Sequence, residues 1–189
     1  QRSIHLPTLA QVGPKGLSMQ LWLKLDDDAA ELEARLHGAT TLLSITFRLS
    51  GIGISYEDAT PSASSRASAS LSIPKVLLAR SWSQITVTLS QNGLLSVFRD
   101  GTPIAREQFV QPSNLSVNHK ASLLSGSGSG AMTELRLWTR ALAENEVARN
   151  WNRRITGGIG LAAAWTLLDG TLAGNPGAAM TTIAGSAAM

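Results

Sequence analysis

The sequence predicts an all-β fold: a sandwich of two antiparallel sheets with one short helix near Leu142–Arg153. Three observations point to it. Apolar and polar residues alternate in run after run, the period of a strand buried on one side. Turn-forming pairs, Asn92-Gly93 and Asp100-Gly101, separate such runs at hairpin spacing. The period becomes helical only after Trp138, and the strand–helix–strand alternation of a parallel sheet is missing.

Along the chain, Ser18–Leu25 alternates cleanly, with Met19, Leu21, Leu23 and Leu25 on one side and Gln20, Trp22 and Lys24 on the other. It runs into Asp26-Asp27-Asp28, where adjacent carboxylates repel and favour a solvated turn. Ala29–Leu36 is compatible with a helical turn, a loop or a strand. Thr41–Ser50 is rich in β-branched residues and Gly51–Tyr56 alternates, so both read as strands, the glycines allowing a bend or bulge. Glu57–Ser70 is small, polar and aperiodic, an exposed loop running into a strand at Ala69–Ile73. Gln84–Ser90 and Leu94–Arg99 flank Asn92-Gly93, a hairpin with both turn residues at positive φ; Asp100-Gly101 then turns the chain into Thr102–Glu107.

Gln111–Lys120 reads as a polar connection, Ser122–Ser125 as a short strand and Ser125–Gly130 (SGSGSG) as a flexible loop. Met132–Trp138 alternates again, placing Met132, Glu134, Arg136 and Trp138 on one face and Thr133, Leu135 and Leu137 on the other. From Leu142, Ala143, Val147 and Trp151 recur at every fourth residue, a helical stripe. Glu144 and Glu146 lie early and Arg149, Arg153 and Arg154 late, complementing the helix dipole, and Gly157-Gly158 ends the helix. Leu161–Leu168 is a last apolar strand, read as completing this sandwich because alone it would be an exposed edge.

The length of 189 residues fits one domain, 1–189, with a substantial core. A net charge of +3 without any run of Lys and Arg argues against nucleic acid as a partner. The lack of cysteine removes disulfides, thiolate metal sites and cysteine nucleophiles. No apolar stretch is long enough for a membrane span. The opening QRSIHLPTLAQ, with neither an initiator Met nor a signal pattern, predicts a domain excised from a larger protein.

Five segments in consistent order resemble the laminin-G-like domains of the concanavalin A-like lectin/glucanase superfamily. They are Leu17–Asp26, Trp82–Thr88, Leu94–Pro103, Met132–Leu142 with its Trp138-Thr-Arg-Ala-Leu142 ending, and Gly160–Asp169. The resemblance implies a concanavalin A-like jelly roll, an extracellular or cell-surface setting, and a binding role. In many relatives the strand before the helix carries an Asp associated with calcium; here Thr133 stands in its place, with Glu134 retained. A neutral hydroxyl is a poor ligand for a hard cation that wants several oxygens, so the calcium site is not carried over. The acid runs Asp26–Asp28 and Glu57-Asp58 are alternative calcium candidates, but contiguous residues of a strand point to opposite faces and make a poor cage.

The expected function is a non-catalytic recognition or adhesion module, part of a larger exported, surface or toxin-like protein, binding glycan or protein through rim loops. A structural spacer packing against neighbouring domains of the parent protein is the alternative. A glycan hydrolase is the least supported reading, because such enzymes need two converging carboxylates. Glu31-Leu-Glu33 and Glu144-Asn-Glu146 read as solvated charge. His5, His37 and His119 are scattered, and Gly158–Ala163 matches a dinucleotide fingerprint but leads into a strand. Asn114-Leu-Ser116 fits a glycosylation acceptor. Of the five tryptophans, Trp82, Trp138 and Trp165 sit within strand patterns shared with the family, one of which opens with Trp82, and the resemblance implies core positions; Trp151 is expected to dock the helix. Trp22, on the side opposite its strand's leucines, is the first ligand-facing candidate; Tyr56, Glu57 and Asp58 form the second. No catalytic or metal-binding residue is assigned.

Overall fold

A computed structural model describes residues 2–5, 16–37, 41–58, 67–109, 123–155, 157–167 and 180–184. The alternating runs fold as β1 (Arg2–His5), β2 (Leu17–Leu25), β3 (Glu31–His37), β4 (Thr41–Arg48), β5 (Gly51–Asp58), β6 (Ala67–Pro74), β7 (Ser83–Leu89), β8 (Leu94–Arg99), β9 (Thr102–Gln108), β10 (Leu123–Ser127) and β11 (Gly130–Trp138). The helix α1 (Glu144–Asn150) follows, then β12 (Leu161–Leu167) and β13 (Met180–Ala184). They make two antiparallel sheets: six strands in the order β1-β10-β3-β4-β5-β6 and seven in the order β13-β12-β11-β2-β7-β8-β9. This is a concanavalin A-like jelly-roll sandwich.

The period of two decides the packing. From β2, Met19, Leu21, Leu23 and Leu25 meet Ile45 and Phe47 of β4 and Ile52 and Ile54 of β5 in one inter-sheet core, each at most 2% exposed. Burying each such side chain stabilises the fold by roughly 1.5–3 kcal/mol. Tyr56 belongs to this core at 2% exposed. The expected last strand enters the sandwich as β12, which pairs with β11 from Leu135↔Trp165 to Trp138↔Leu161 and carries β13 on its other side.

Several expectations change. Ala29–Leu36, compatible in sequence with a helical turn, a loop or a strand, is strand from Glu31 onward as β3, with Leu32, Ala34 and Leu36 facing inward. Glu57 and Asp58 are the end of β5 rather than the start of a loop, paired with Ser68 and Ala67. SGSGSG is largely strand: β10 runs to Ser127 and β11 starts at Gly130, so the chain crosses between the sheets at Gly128-Ser129. At Asn92-Gly93 only Gly93 has positive φ, +80°. The turn spans four residues, closed by Gly93 N–H donating to the Ser90 carbonyl at 3.0 Å. The pair with both residues at positive φ is Asp100-Gly101, at +50° and +79°, joining Arg99 and Thr102 in register.

The helix is shorter than Leu142–Arg153. It ends at Asn150, so Gly157-Gly158 lies beyond its end and Arg153 and Arg154 are not helical. Ala143 is exposed, and the helix docks through Val147, which is 0% exposed. Gln111–Lys120, Asn114, His119, 59–66 and 168–179 lie outside the described residues.

Candidate functional site

The outer face of the seven-stranded sheet carries the polar half of each alternation. Register sets Gln20 between Arg136 and Thr86, and the next outward residue of β2, Trp22, between Thr133 and Gln84. Gln20, Gln84 and Thr86 are at most 1% exposed yet polar, so their groups must pair internally. They do. Gln20 Nε2 and Gln84 Nε2 donate to Thr86 Oγ1 at 3.1 and 3.0 Å, and Trp138 Nε1 donates to Gln20 Oε1 at 3.0 Å. Above this floor Phe98, Trp138, Leu142, Val147, Leu161 and Ala164 form a second, smaller apolar cluster under α1.

The bend before α1 is fastened to the sheet. Ser18 Oγ donates to the Arg140 carbonyl at 2.9 Å and accepts from Leu142 N–H at 2.8 Å. Arg140 grips Glu146 through two hydrogen bonds of 2.7 Å, and the same carboxylate accepts Ala143 N–H at 3.0 Å. That reach back from the first turn leaves the Glu146 carboxyl at about 2 instead of 4.5, the Arg140 hydrogen bond being the main cause.

Beside the helix the outer face is open. A cleft of about 460 Å³ lies there, lined by Trp22, Trp82, Thr133 and Glu134 of β11 and the segment Asn152-Arg153-Arg154. Trp82 is 43% exposed, with Lys24 Nζ 5.9 Å from its ring centroid. Trp22 is half-buried and leans on Trp151, the centroids 5.9 Å apart and the planes at 42°. The indole of Trp151 is itself set by Gly101: a Cβ there would stand 2.3 Å from Trp151 Cδ1.

One wall is made by a β-bulge. On β11 Thr133 pairs with Trp22 and Arg136 with Gln20, so Glu134 and Leu135 stand against the single Leu21 of β2. The extra residue is Glu134, at φ +50°, an uncommon conformation for a residue with a side chain. The bulge reverses the phase of the strand. Met132, Leu135 and Leu137 face the main core, while Arg136 and Trp138 face outward, so Met132 does not share a face with Trp138 as strict alternation predicts. Arg136 is 2% exposed. One of its Nη atoms donates to Glu134 Oε2 at 2.5 Å and to the Arg153 carbonyl at 2.7 Å. Burial pushes the Arg136 guanidinium below its usual range, with Glu134 opposing the shift; as an arginine it stays a cation. It therefore ties the bulge to the segment after the helix.

Of the sequence candidates, Trp22 lies in the cleft. Tyr56 is in the inter-sheet core, not on a ligand-facing loop, because inward positions of β5 fall on Ile52, Ile54 and Tyr56. Glu57 is exposed on β5, and with Asp58 it belongs to the six-stranded sheet, so the structure does not unite the pair with Trp22. Trp82 is not a core residue. It stands two positions before Gln84, and the same period of two that puts Gln84 outward puts Trp82 outward. Arg153 and Arg154 escaped notice as site residues because the sequence placed them on the helix. For calcium the cleft offers the neutral Thr133 and a Glu134 carboxylate held by Arg136, a poor donor set. Among the described residues no group of three His, Cys, Asp or Glu could hold a metal ion.

Residues 1–148 match the family model Laminin_G_3, of the concanavalin A-like lectin/glucanases superfamily. No curated protein matches the sequence. Among solved structures the chain is similar to a candidate carbohydrate-binding protein from Bacteroides ovatus, at 15% identity and a TM-score of 0.63, over 87% of this chain and 49% of that one. It is also similar to the binding domain of Paraclostridial Mosquitocidal Protein 1, at 13% identity and 0.55, over 75% and 38%. A third is the binding domain of botulinum neurotoxin serotype D, at 10% identity and 0.53, over 77% and 37%. The chain thus spans half or less of the length of each.

Proposed function

We propose that this chain, which belongs to the Laminin_G_3 family of the concanavalin A-like lectin/glucanases superfamily, is a non-catalytic binding module whose ligand is a saccharide. The observation that carries the reading is the cleft with two tryptophans, Trp22 and Trp82, on the outer face of the seven-stranded sheet. An indole offers a flat apolar face to the C–H face of a sugar ring, while polar groups at the edges take the hydroxyls. Thr133, Glu134 and Asn152 supply such groups. The cleft replaces the rim loops as the proposed binding surface, because strands and the hold of Arg136 on the Arg153 carbonyl fix its backbone, which needs little ordering on binding.

Absence of catalysis is part of the proposal. Glycoside cleavage takes two carboxyl groups flanking the bond. Glu134 is the one carboxylate among the residues lining the cleft, and it is engaged by Arg136. Calcium independence follows from the same donor set. An exported, surface or toxin-like parent also belongs to the proposal; two of the solved structures above are toxin binding domains.

A glycan array read with and without EDTA tests this, with Trp82→Ala as the control. The expected result is saccharide binding that EDTA leaves unchanged and that the variant weakens about thirtyfold, the loss typical of an aromatic anchor worth about 2 kcal/mol. Binding that persists undiminished in Trp82→Ala, or turnover of the glycan, contradicts it.

A further inference from the structure

The cleft's charge is one-sided. Glu134 is answered by Arg136 beneath it, whereas Arg153 and Arg154 are exposed and make no ion pair among the described residues. Lys24, over the Trp82 ring, adds a third cation at the same end of the sheet; its partner Asp26 stands 3.6 Å away in a partly exposed pair that solvent screens in part. Positive charge therefore gathers beside two indoles, on a protein whose basic residues are otherwise spread out.

The position of the arginines is held by the fold. With α1 ending at Asn150, Arg153 and Arg154 leave the helix and follow the turn in which Arg153 N–H donates to the Asn150 carbonyl at 3.2 Å. The Arg153 carbonyl is in turn held by Arg136 at 2.7 Å. That anchor comes from a bulge whose extra residue keeps a positive φ, the kind of backbone strain that persists where surrounding structure enforces it. The backbone under the arginines is fixed while their guanidinium groups remain in solvent. A guanidinium fork matches the oxygens of a carboxylate or sulfate and can bind them through two parallel hydrogen bonds.

Building on the saccharide reading above, we infer that the cleft selects acidic saccharides: the indoles of Trp22 and Trp82 take the ring, and Arg153 and Arg154 take its carboxylate or sulfate group. Arg136 is a positioning residue, buried and touching the ligand only through the segment it holds. Neutral sugars retain the stacking surface and lose the charge-assisted hydrogen bonds.

The test is an array of matched pairs: oligogalacturonates beside their methyl esters and sulfated dextran oligomers beside dextran oligomers, with a single-stranded DNA oligomer as another anion. The full chain is compared with R153A/R154A, R153K/R154K and W82A. Both arginines are exposed and outside regular elements, and thermal melts confirm that the variants fold. The expected result is at least tenfold tighter binding of one or more acidic saccharides than of their neutral partners. This preference should fall with salt, disappear in R153A/R154A and persist in part in R153K/R154K. Equal binding within each pair, an acid preference that survives R153A/R154A, or tighter binding of the DNA overturns the inference. Trp82-dependent binding without acid preference leaves the saccharide module standing and removes only the acidic ligand; no binding to any saccharide removes both.

Discussion

Trp82 and Glu134 show how single residues decide this site. Trp82 is outward for the same reason as Gln84 and Thr86, so its exposure was contained in the alternation of the following strand. A family pattern in which a tryptophan opens a core strand concealed it. Glu134 was not legible: Met132–Trp138 alternates without a break, and only three-dimensional pairing shows that one residue is extra. Removing the Glu134 carboxylate leaves a buried guanidinium short of a partner. Glu134→Ala is expected to lower stability by roughly 2–3 kcal/mol, read by urea unfolding. A second expected effect is weaker ligand binding, since Arg136 then holds Arg153 with less support; an unchanged unfolding midpoint contradicts the role given to the pair.

The strand-to-helix connection is the element that shapes the cleft. Its stripe of Val147 and Trp151 was readable from the spacing; its end was not, because Arg153 and Arg154 suit both a helix terminus and a binding wall. Two predictions belong here. In Gly101→Ala the new methyl meets Trp151 within 2.3 Å at a φ of +79°, so either the turn or the indole must move. The expected cost is about 2–4 kcal/mol, a fall in Tm of roughly 5–15 °C in a thermal melt. The second concerns acid. The Glu146 carboxyl is depressed from 4.5 to about 2 in the folded protein, chiefly by Arg140. A depressed carboxyl gives stability that is complete above its unfolded value and is lost as pH falls through the folded one. Urea midpoints should therefore drop between about pH 4.5 and 2, and Glu146→Gln should flatten that part of the profile; an identical profile in the variant contradicts the assignment.

At the level of the whole molecule, the two faces of the seven-stranded sheet divide the core from the proposed binding cleft. Inward residues such as Leu21, Ile45 and Leu137 close the inter-sheet core, and the outward residues of β2, β7 and β11 build the floor and walls of the cleft. The sandwich was legible because period two survives in sequence wherever one face is buried, as in Ser18–Leu25 and Gln84–Ser90. The site was legible only at Trp22. Its other members come from β7's entry, a bulge and a post-helix turn, and tertiary pairing alone unites them. Tyr56 continues the alternation of Ile52 and Ile54, a local sign of burial that the two acids beside it concealed. The central claim is that ligand is held between Trp22 and Trp82, and the indole N–H signals of the tryptophans report on it directly. In a ¹H–¹⁵N NMR titration with the best-binding saccharide, the Trp22 and Trp82 indole signals should shift progressively while that of Trp138, hydrogen-bonded to Gln20 beneath α1, stays in place. Shifts confined to residues of the rim loops, with both cleft indoles unmoved, would contradict the account.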